Sequence, residues 1–106
     1  MARTPEGETL NAICDYLALK RYFFYRNNNA AIFDPTRKTF RSMPKHARHG
    51  VPDIIVVKDG KYIGIEVKTE KGRPSDHQLE FGRDLILAGG MYVIARGIED
   101  VQRVGL

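Results

Sequence analysis

Two features that the sequence lacks, paired cysteines and long apolar runs, exclude several classes of protein. The single cysteine, Cys14, cannot form an internal disulfide, so the disulfide-stapled secreted class is excluded. Four-ligand zinc modules are disfavoured, because Cys14 has no thiol partner and the histidines (His46, His49 and His77) lack finger spacing. The longest apolar runs have about five residues, far fewer than a membrane-spanning helix needs, and the N-terminus contains no apolar signal core. We therefore expect an intracellular, cytoplasmic protein.

The length and composition are those of a small globular domain. Hydrophobic residues make up 42% of the chain and charged residues 28%, a balance that is typical of folded soluble domains and not of disordered chains. A chain of 106 residues has room for one hydrophobic core. We therefore expect a single domain that spans residues 1–106.

The positive charge is concentrated in one segment. The net charge of the chain is +4, but residues 20–49 contain eight Lys and Arg residues and one Asp. The same segment contains the aromatic run from Tyr22 to Tyr25 and also Phe40. Basic groups interleaved with aromatic ones suit a polyanion, because Lys and Arg neutralise phosphates. The alternative is a solvated loop on a mildly basic protein, and charge alone does not choose between them.

The first half of the chain predicts a helix followed by strands. Thr4-Pro5 is typical of a helix start, and the apolar spacing that follows predicts a helix over roughly 5–20. The aromatic residues 22–25 favour a strand, and residues 30–33 could return as a second strand after an asparagine turn. Residues 34–50 are predicted to form a long basic loop.

The second half has clearer signals. Asp59-Gly60 lies between two strand-forming runs, 53–57 and 62–68, which predicts a hairpin with a two-residue type I′ turn. A capping box formed by Ser75 and Gln78 begins a second helix, which Gly89-Gly90 ends. A short buried strand follows, so the predicted order is α-β-β-β-α-β.

The predicted hairpin brings two acids together. If Asp59 and Gly60 are the turn residues, Asp53 lies directly opposite Glu66, unless a bulge shifts the register. Strand alternation then places Lys68 on the same face as Glu66. Opposed carboxylates repel each other unless a cation lies between them, and oxygen ligands of this kind suit Mg²⁺, which activates water for attack on a phosphate. The alternative for Glu66 and Lys68 is an ordinary solvent-exposed strand face.

These residues resemble a known nuclease signature. Pro52-Asp53, followed after twelve residues by Glu66-Val67-Lys68, is similar to the PD-(D/E)XK motif. Together with Gly50-Val51 before it and the segment 72–78 after it, the match resembles the VRR-NUC domain, the virus-type replication-repair nuclease family. The resemblance implies a restriction-endonuclease-like α/β fold, with a mixed central sheet flanked by helices. It also implies a metal-dependent DNA endonuclease that uses Mg²⁺ or Mn²⁺.

The resemblance also implies roles for particular residues. Asp53 and Glu66 would ligate the metal, with the backbone carbonyl of Val67 as a further ligand. Lys68 would orient the attacking water and offset the charge on the transition-state phosphorane.

Two further site residues are expected from the helices. Gln78 would approach the site from the second helix, and the alternative is that it only closes the capping box. The family has a glutamate on the first helix near the site, for which Glu8 is the best-placed candidate and Glu6 the competitor. The alternative for Glu8 is interaction with the positive end of the helix dipole.

The expected substrate is DNA, contacted by basic side chains. The candidate DNA-binding residues are Arg26, Arg37, Lys38, Arg41, Lys45, Arg48 and Arg73. Stand-alone, phage-like members of the family have a similar length and look like homodimeric Holliday-junction resolvases, which implies a homodimer that acts on four-way junctions in DNA repair. Two alternatives remain open: a nuclease for flaps, nicks or duplex DNA in general, and a nucleic-acid-binding module without catalysis.

Overall fold

The computed structural model describes residues 4–27, 33–34, 39–40 and 44–106, with backbone only for the two short ranges. The strand expected over 30–33 therefore lies, apart from its last residue, outside the described residues. In the part of the chain that the structure describes, no helix is both long enough and apolar enough to span a membrane.

Three helices and six strands make up the described fold. The helices are α1 (Pro5–Leu19), α2 (Asp76–Leu87) and α3 (Ile98–Arg103). The strands are β1 (Phe23–Arg26), β2 (Phe33–Asp34), β3 (Thr39–Phe40), β4 (Ile54–Lys58), β5 (Lys61–Val67) and β6 (Met91–Ala95). The first helix begins as predicted, since the Thr4 hydroxyl accepts a hydrogen bond from the N–H of Gly7 at 3.0 Å.

The central sheet has four strands in the order β1-β4-β5-β6. The pairs β1–β4 and β4–β5 are antiparallel, whereas β5 and β6 are parallel and are connected through α2. The mixed sheet and its helices thus confirm the predicted α-β-β-β-α-β order. A separate two-stranded ladder of β2 and β3 and the short helix α3 were not predicted. Helix α3 has six residues and no side-chain hydrogen bond at its N-cap, so its sequence contains little helical signal.

The β4–β5 hairpin has the predicted turn and register. Asp59 and Gly60 have φ angles of 53° and 77°, as a type I′ turn requires at both central residues. Val57 pairs with Tyr62, and the ladder continues to the pair of Ile54 and Ile65. The next position along the two strands is occupied by Asp53 and Glu66, so the register that was predicted to bring them together is present.

The hydrophobic core lies on one face of the sheet, beneath α1 and α3. Alternate residues of β4, β5 and β6 pack there against buried side chains of the two helices and the C-terminus. The buried side chains from the helices and the C-terminus are Ile13, Leu17, Val101 and Leu106. The strand residues of this core are Ile54, Val56, Ile63, Ile65, Val67, Val93 and Ala95. The opposite face contains Gly64 and Glu66 and is approached by α2, whose buried residue is Gly82.

Candidate metal centre

Asp53 is positioned at the end of β5 by the residue before it and by a backbone contact. The ring of Pro52 packs over Gly64, where a Cβ atom would lie only 2.6 Å from the Pro52 Cγ. Asp53 follows directly, and its Oδ2 accepts a hydrogen bond from the N–H of Val67 at 2.8 Å. Because Gly64 has no side chain, Pro52 packs closely on β5. This contact and the Val67 hydrogen bond place the Asp53 carboxyl beside Glu66, the residue before Val67.

Glu66 is the buried acid of the site. Its side chain is 2% exposed, its carboxyl group is hydrogen bonded to that of Asp53, and its Oε1 has no hydrogen-bond partner among the described residues. Burial raises the pKa of Glu66 to about 9, the hydrogen bond and negative charge of Asp53 add to this, and Lys68 opposes it. Without a cation, Glu66 therefore holds its proton at neutral pH.

Glu6 completes a group of three carboxylates. One carboxylate oxygen from each of Glu6, Asp53 and Glu66 lies within 4.8 Å of the others. Such a group is electrostatically unfavourable when fully ionised, and a divalent cation with oxygen ligands removes the repulsion. The unpartnered buried oxygen of Glu66 is consistent with this. The residues present therefore fit a divalent metal ion of the Mg²⁺ or Mn²⁺ type.

Of the two glutamates of α1 that the sequence leaves open, Glu6 is the one that lies in the carboxylate group, and a site role for Glu8 stays a prediction. Residues that are two positions apart in a helix point in directions about 200° apart around its axis, so Glu6 and Glu8 cannot face the same site. Glu6 continues the apolar stripe of α1, which includes Ile13 and Leu17 and points toward the sheet. Glu8 lies on another side of the helix and is not a member of the carboxylate group.

Lys68 is placed beside the acids by the end of the sheet. Its backbone N–H donates to the carbonyl oxygen of Ala95 at 3.0 Å, which fixes the chain just past β5. The side chain is half-buried, and its positive charge is close enough to lower the pKa of Glu66. The expected metal-ligand role of the Val67 carbonyl stays a prediction, since the described contact of Val67 at the site is through its N–H.

Gln78 is engaged in the cap of α2. Its Oε1 accepts a hydrogen bond from the N–H of Ser75 at 2.9 Å, and its own N–H donates to the Ser75 hydroxyl at 3.2 Å. This is the predicted capping box, and it is the structural alternative to a site role. An approach of Gln78 to the acids stays a prediction.

The start of α2 is nevertheless fixed relative to the acids. Gly50 has a φ of 80°, and a Cβ atom there would lie 2.3 Å from the carbonyl oxygen of His77, which leaves no room for a side chain. The rings of His49 and His77 are also in contact, with centroids 4.7 Å apart. The segment that leads to Asp53 therefore packs directly against the first turn of α2.

The basic residues expected to bind DNA are not equivalent. Arg48 forms an ion pair with Asp84 at 2.7 Å, and its guanidinium lies 5.3 Å from the ring centroid of Phe81, so it fastens the loop before β4 to α2. Arg26 donates to the Asn11 side chain at 3.4 Å, toward α1. These contacts give both arginines a structural role beside the predicted one.

The remaining candidate DNA-binding residues fall into two groups. Lys45 and Arg73 are exposed, at positions from which they can reach a polyanion. The others, which are Arg37, Lys38 and Arg41, lie outside the described residues.

Comparison with known proteins identifies the fold. No protein-family model and no curated protein matches the sequence. A solved structure described as a VRR_NUC domain is 18% identical, with a TM-score of 0.67 over 95% of this chain and 94% of its own. A second, described as a VRR_NUC domain protein, is 22% identical, with a TM-score of 0.67 over 98% of this chain and 87% of its own. At these identities the likeness shows the fold alone, and it confirms the predicted fold.

Proposed function

We propose that this chain, which has the fold of VRR_NUC domain structures, is a metal-dependent endonuclease that hydrolyses phosphodiester bonds in DNA. The observation that carries the proposal is the convergence of the Glu6, Asp53 and Glu66 carboxylates within 4.8 Å of one another. The positive charge of Lys68 lies beside them, as its effect on the pKa of Glu66 indicates.

Each side chain has a distinct part in this mechanism. A Mg²⁺ or Mn²⁺ ion bound here would supply Lewis-acid chemistry at the phosphate. Glu6, Asp53 and Glu66 would hold the ion. The ammonium group of Lys68 orients the attacking water and stabilises the negative charge that develops on the phosphate oxygens.

The raised pKa of Glu66 has a consequence for metal loading. Because Glu66 holds a proton at neutral pH when no cation is bound, metal binding must release that proton. Metal affinity should therefore rise with pH across the neutral range. This coupling is independent of whether the substrate is a junction, a flap or linear DNA.

The two glutamates of α1 provide the sharpest test of the site. We expect Glu6→Gln to weaken the binding of Mn²⁺ by at least about tenfold, because it removes one of three ligands, whereas Glu8→Gln should leave it unchanged. Binding is measured by titration calorimetry and DNA cleavage by gel assay, with EDTA as the metal-free control. Equal effects of the two substitutions, or cleavage that persists in EDTA, would contradict the proposal.

The finer proposal is a homodimeric Holliday-junction resolvase. It is supported by β1, an outer strand of the described sheet, on which Phe23 is 67% and Tyr25 51% exposed. An exposed apolar edge strand favours association with a second copy. Two copies about a two-fold axis would present two metal centres to the symmetric strands of a four-way junction.

The assembly and the substrate are tested together. Light scattering at micromolar concentration should give the mass of a dimer, and Phe23→Lys should shift it to that of a monomer. A cleavage panel of four-way junction, flap, nicked duplex, linear duplex and single strand then measures preference. A wild-type monomer that cleaves the junction argues against the dimer, and equal rates across the panel argue for a broad nuclease. Metal binding without any cleavage would indicate a DNA-binding module.

A further inference from the structure

Arg96 follows β6 directly, and its positive charge is not compensated. Its backbone N–H donates to the Oδ2 of Asp100 at 2.8 Å, so a carboxylate lies close to the base of its side chain. The other oxygen of Asp100 binds Arg103 at 2.7 Å, whereas the Arg96 guanidinium donates from Nη2 to the carbonyl oxygen of Gly72 at 2.8 Å. Among the described residues no carboxylate forms an ion pair with this exposed guanidinium.

The sheet register places Arg96 beside the metal centre. In the parallel ladder of β5 and β6, Glu66 pairs with Ile94. The pairing continues past both strands, since the N–H of Lys68 donates to the carbonyl oxygen of Ala95 at 3.0 Å. The next pair in this register is Lys68 and Arg96, on neighbouring chains about 4.8 Å apart. Arg96 therefore lies at the same end of the sheet as the acids.

The Gly72 contact joins Arg96 to the loop that follows Lys68. This loop turns at Gly72, whose N–H donates to the carbonyl oxygen of Thr69 at 3.0 Å. The carbonyl that Arg96 binds belongs to the peptide unit between Gly72 and Arg73. Arg73 is also exposed and, within the described part of the chain, forms no ion pair. Two arginines without a carboxylate partner are thus attached close together beside the acids.

We propose that Arg96 and Arg73 form a phosphate subsite, which binds the phosphodiester group next to the scissile one on the strand that is cleaved. A guanidinium has five N–H donors and binds phosphate through parallel hydrogen bonds, and the Gly72 carbonyl occupies one nitrogen of Arg96. The same contact orders the side chain before DNA binds, which lowers the entropy cost of binding. This inference rests on the proposed function, because it assigns residues to the DNA substrate.

The test uses Arg96→Gln, whose amide can still donate to Gly72 but has no charge. Fluorescence anisotropy in EDTA measures binding of the full chain to a labelled four-way junction and a labelled duplex at several KCl concentrations. Loss of one phosphate contact should reduce the slope of log Kd against log[KCl] by about one and weaken binding at about 0.1 M KCl by about five- to tenfold. In cleavage assays KM should rise by the same factor, with kcat within about twofold of wild type.

Arg73→Gln tests the subsite without touching the Gly72 contact. It should reduce the salt slope by a similar amount, and it keeps the inference testable if Arg96→Gln does not fold. Thermal denaturation establishes whether each variant folds, and titration calorimetry with Mn²⁺ should give the wild-type affinity, because neither arginine is a metal ligand.

Two further variants separate a phosphate contact from a purely structural role. Arg96→Lys retains the charge and a donor for Gly72, so it should keep the wild-type salt slope. Arg103→Gln is the matched control, because it removes an exposed arginine whose charge is already paired with Asp100. It should leave both the slope and the affinity unchanged.

The possible outcomes separate this inference from the proposed function. An unchanged salt slope in folded Arg96→Gln, or an equal reduction in Arg103→Gln or Arg96→Lys, overturns the inference whether or not the protein cleaves DNA. A reduced slope in Arg96→Gln and Arg73→Gln alone supports it, even if no DNA is cleaved with Mg²⁺ or Mn²⁺, in which case the proposed function fails. A wild-type protein that binds no DNA overturns both.

Discussion

Strand β5 buries side chains of opposite character on its two faces. Beneath α1 and α3 the buried side chains are all apolar, and β5 contributes Ile65 and Val67 to them. On the other face, the same strand contributes Glu66, the buried charged residue of the described chain, and β6 adds the unpartnered hydroxyl of Tyr92. One strand thus supplies a dry core on one side and a polar site on the other. Stability and chemistry are therefore separated by the alternation of a single strand.

The largest effect should come from removing the buried acid. We expect Glu66→Gln to lower the rate of DNA cleavage at least about a thousandfold, equal to about 4 kcal/mol of transition-state stabilisation, because a metal ligand is lost. The melting temperature of the metal-free protein should not fall, since an amide is cheaper to bury than a carboxylate. Exposed Glu80→Gln on α2 is the control and should leave both quantities unchanged. Cleavage at the wild-type rate would show that Glu66 is not a ligand.

The neighbouring residue on the dry face should behave in the opposite way. Ile65→Ala removes a fully buried side chain and leaves a cavity, so we expect the free energy of unfolding to fall by about 3 kcal/mol. Urea denaturation measures the loss, and Val57→Ala, at a position that is 39% exposed, provides the control with a much smaller effect. Cleavage at low temperature should persist in Ile65→Ala. A loss of cleavage larger than the folded fraction explains would contradict the separation of the two faces.

The pH dependence of stability should come from the site face. The pKa of Glu66 is about 9 in the folded protein against 4.5 for the unfolded chain, so between these values the folded form holds a proton that the unfolded form has lost. The free energy of unfolding should therefore fall as pH rises from about 5 to 9, with a slope of up to about 1.4 kcal/mol per pH unit. Urea denaturation in EDTA measures it.

Two comparisons make the pH experiment specific. Glu66→Gln cannot titrate and should remove most of the slope, and saturating Mg²⁺ should reduce it, because the cation takes the place of the proton. A metal-free wild-type protein whose stability is constant from pH 5 to 9 would indicate that Glu66 ionises normally.

The smallest effect concerns the cap of α2. We expect Gln78→Ala and Ser75→Ala each to lower the free energy of unfolding by about 1 kcal/mol, because either change breaks the capping box. Both variants should retain cleavage, since the Gln78 side-chain oxygen already accepts from the Ser75 N–H. If Gln78→Ala lost cleavage and Ser75→Ala did not, the result would indicate that Gln78 acts at the metal centre, as its sequence position predicts.

Much of the fold was predictable because its signals are local. The Asp-Gly turn has the positive φ angles that its residues favour, and the register between β4 and β5 follows from the turn. The caps of α1 and α2 likewise depend on residues a few positions apart. Helix α3 was missed because six residues do not show a helical period.

The site was predictable only where it depends on one hairpin. Asp53 and Glu66 could be paired from the turn alone. Glu6 comes from α1, which is distant in sequence, and no local signal predicts where that helix packs relative to the hairpin. The apolar spacing of Leu10, Ile13 and Leu17 does contain the answer, because Glu6 precedes it at helical intervals and Glu8 does not.

The hairpin turn has a consequence for how this metal centre tolerates changes in chain length. Asp59 and Gly60 lie about 20 Å from the acids, at about 3.3 Å for each of the intervening residues. If one residue were inserted between them without a compensating bulge, β5 would slip against β4 and Glu66 would no longer face Asp53. The two-residue turn at the exposed tip of the hairpin thus fixes the register of Asp53 and Glu66. Its length is as much a requirement for the chemistry as the acids themselves.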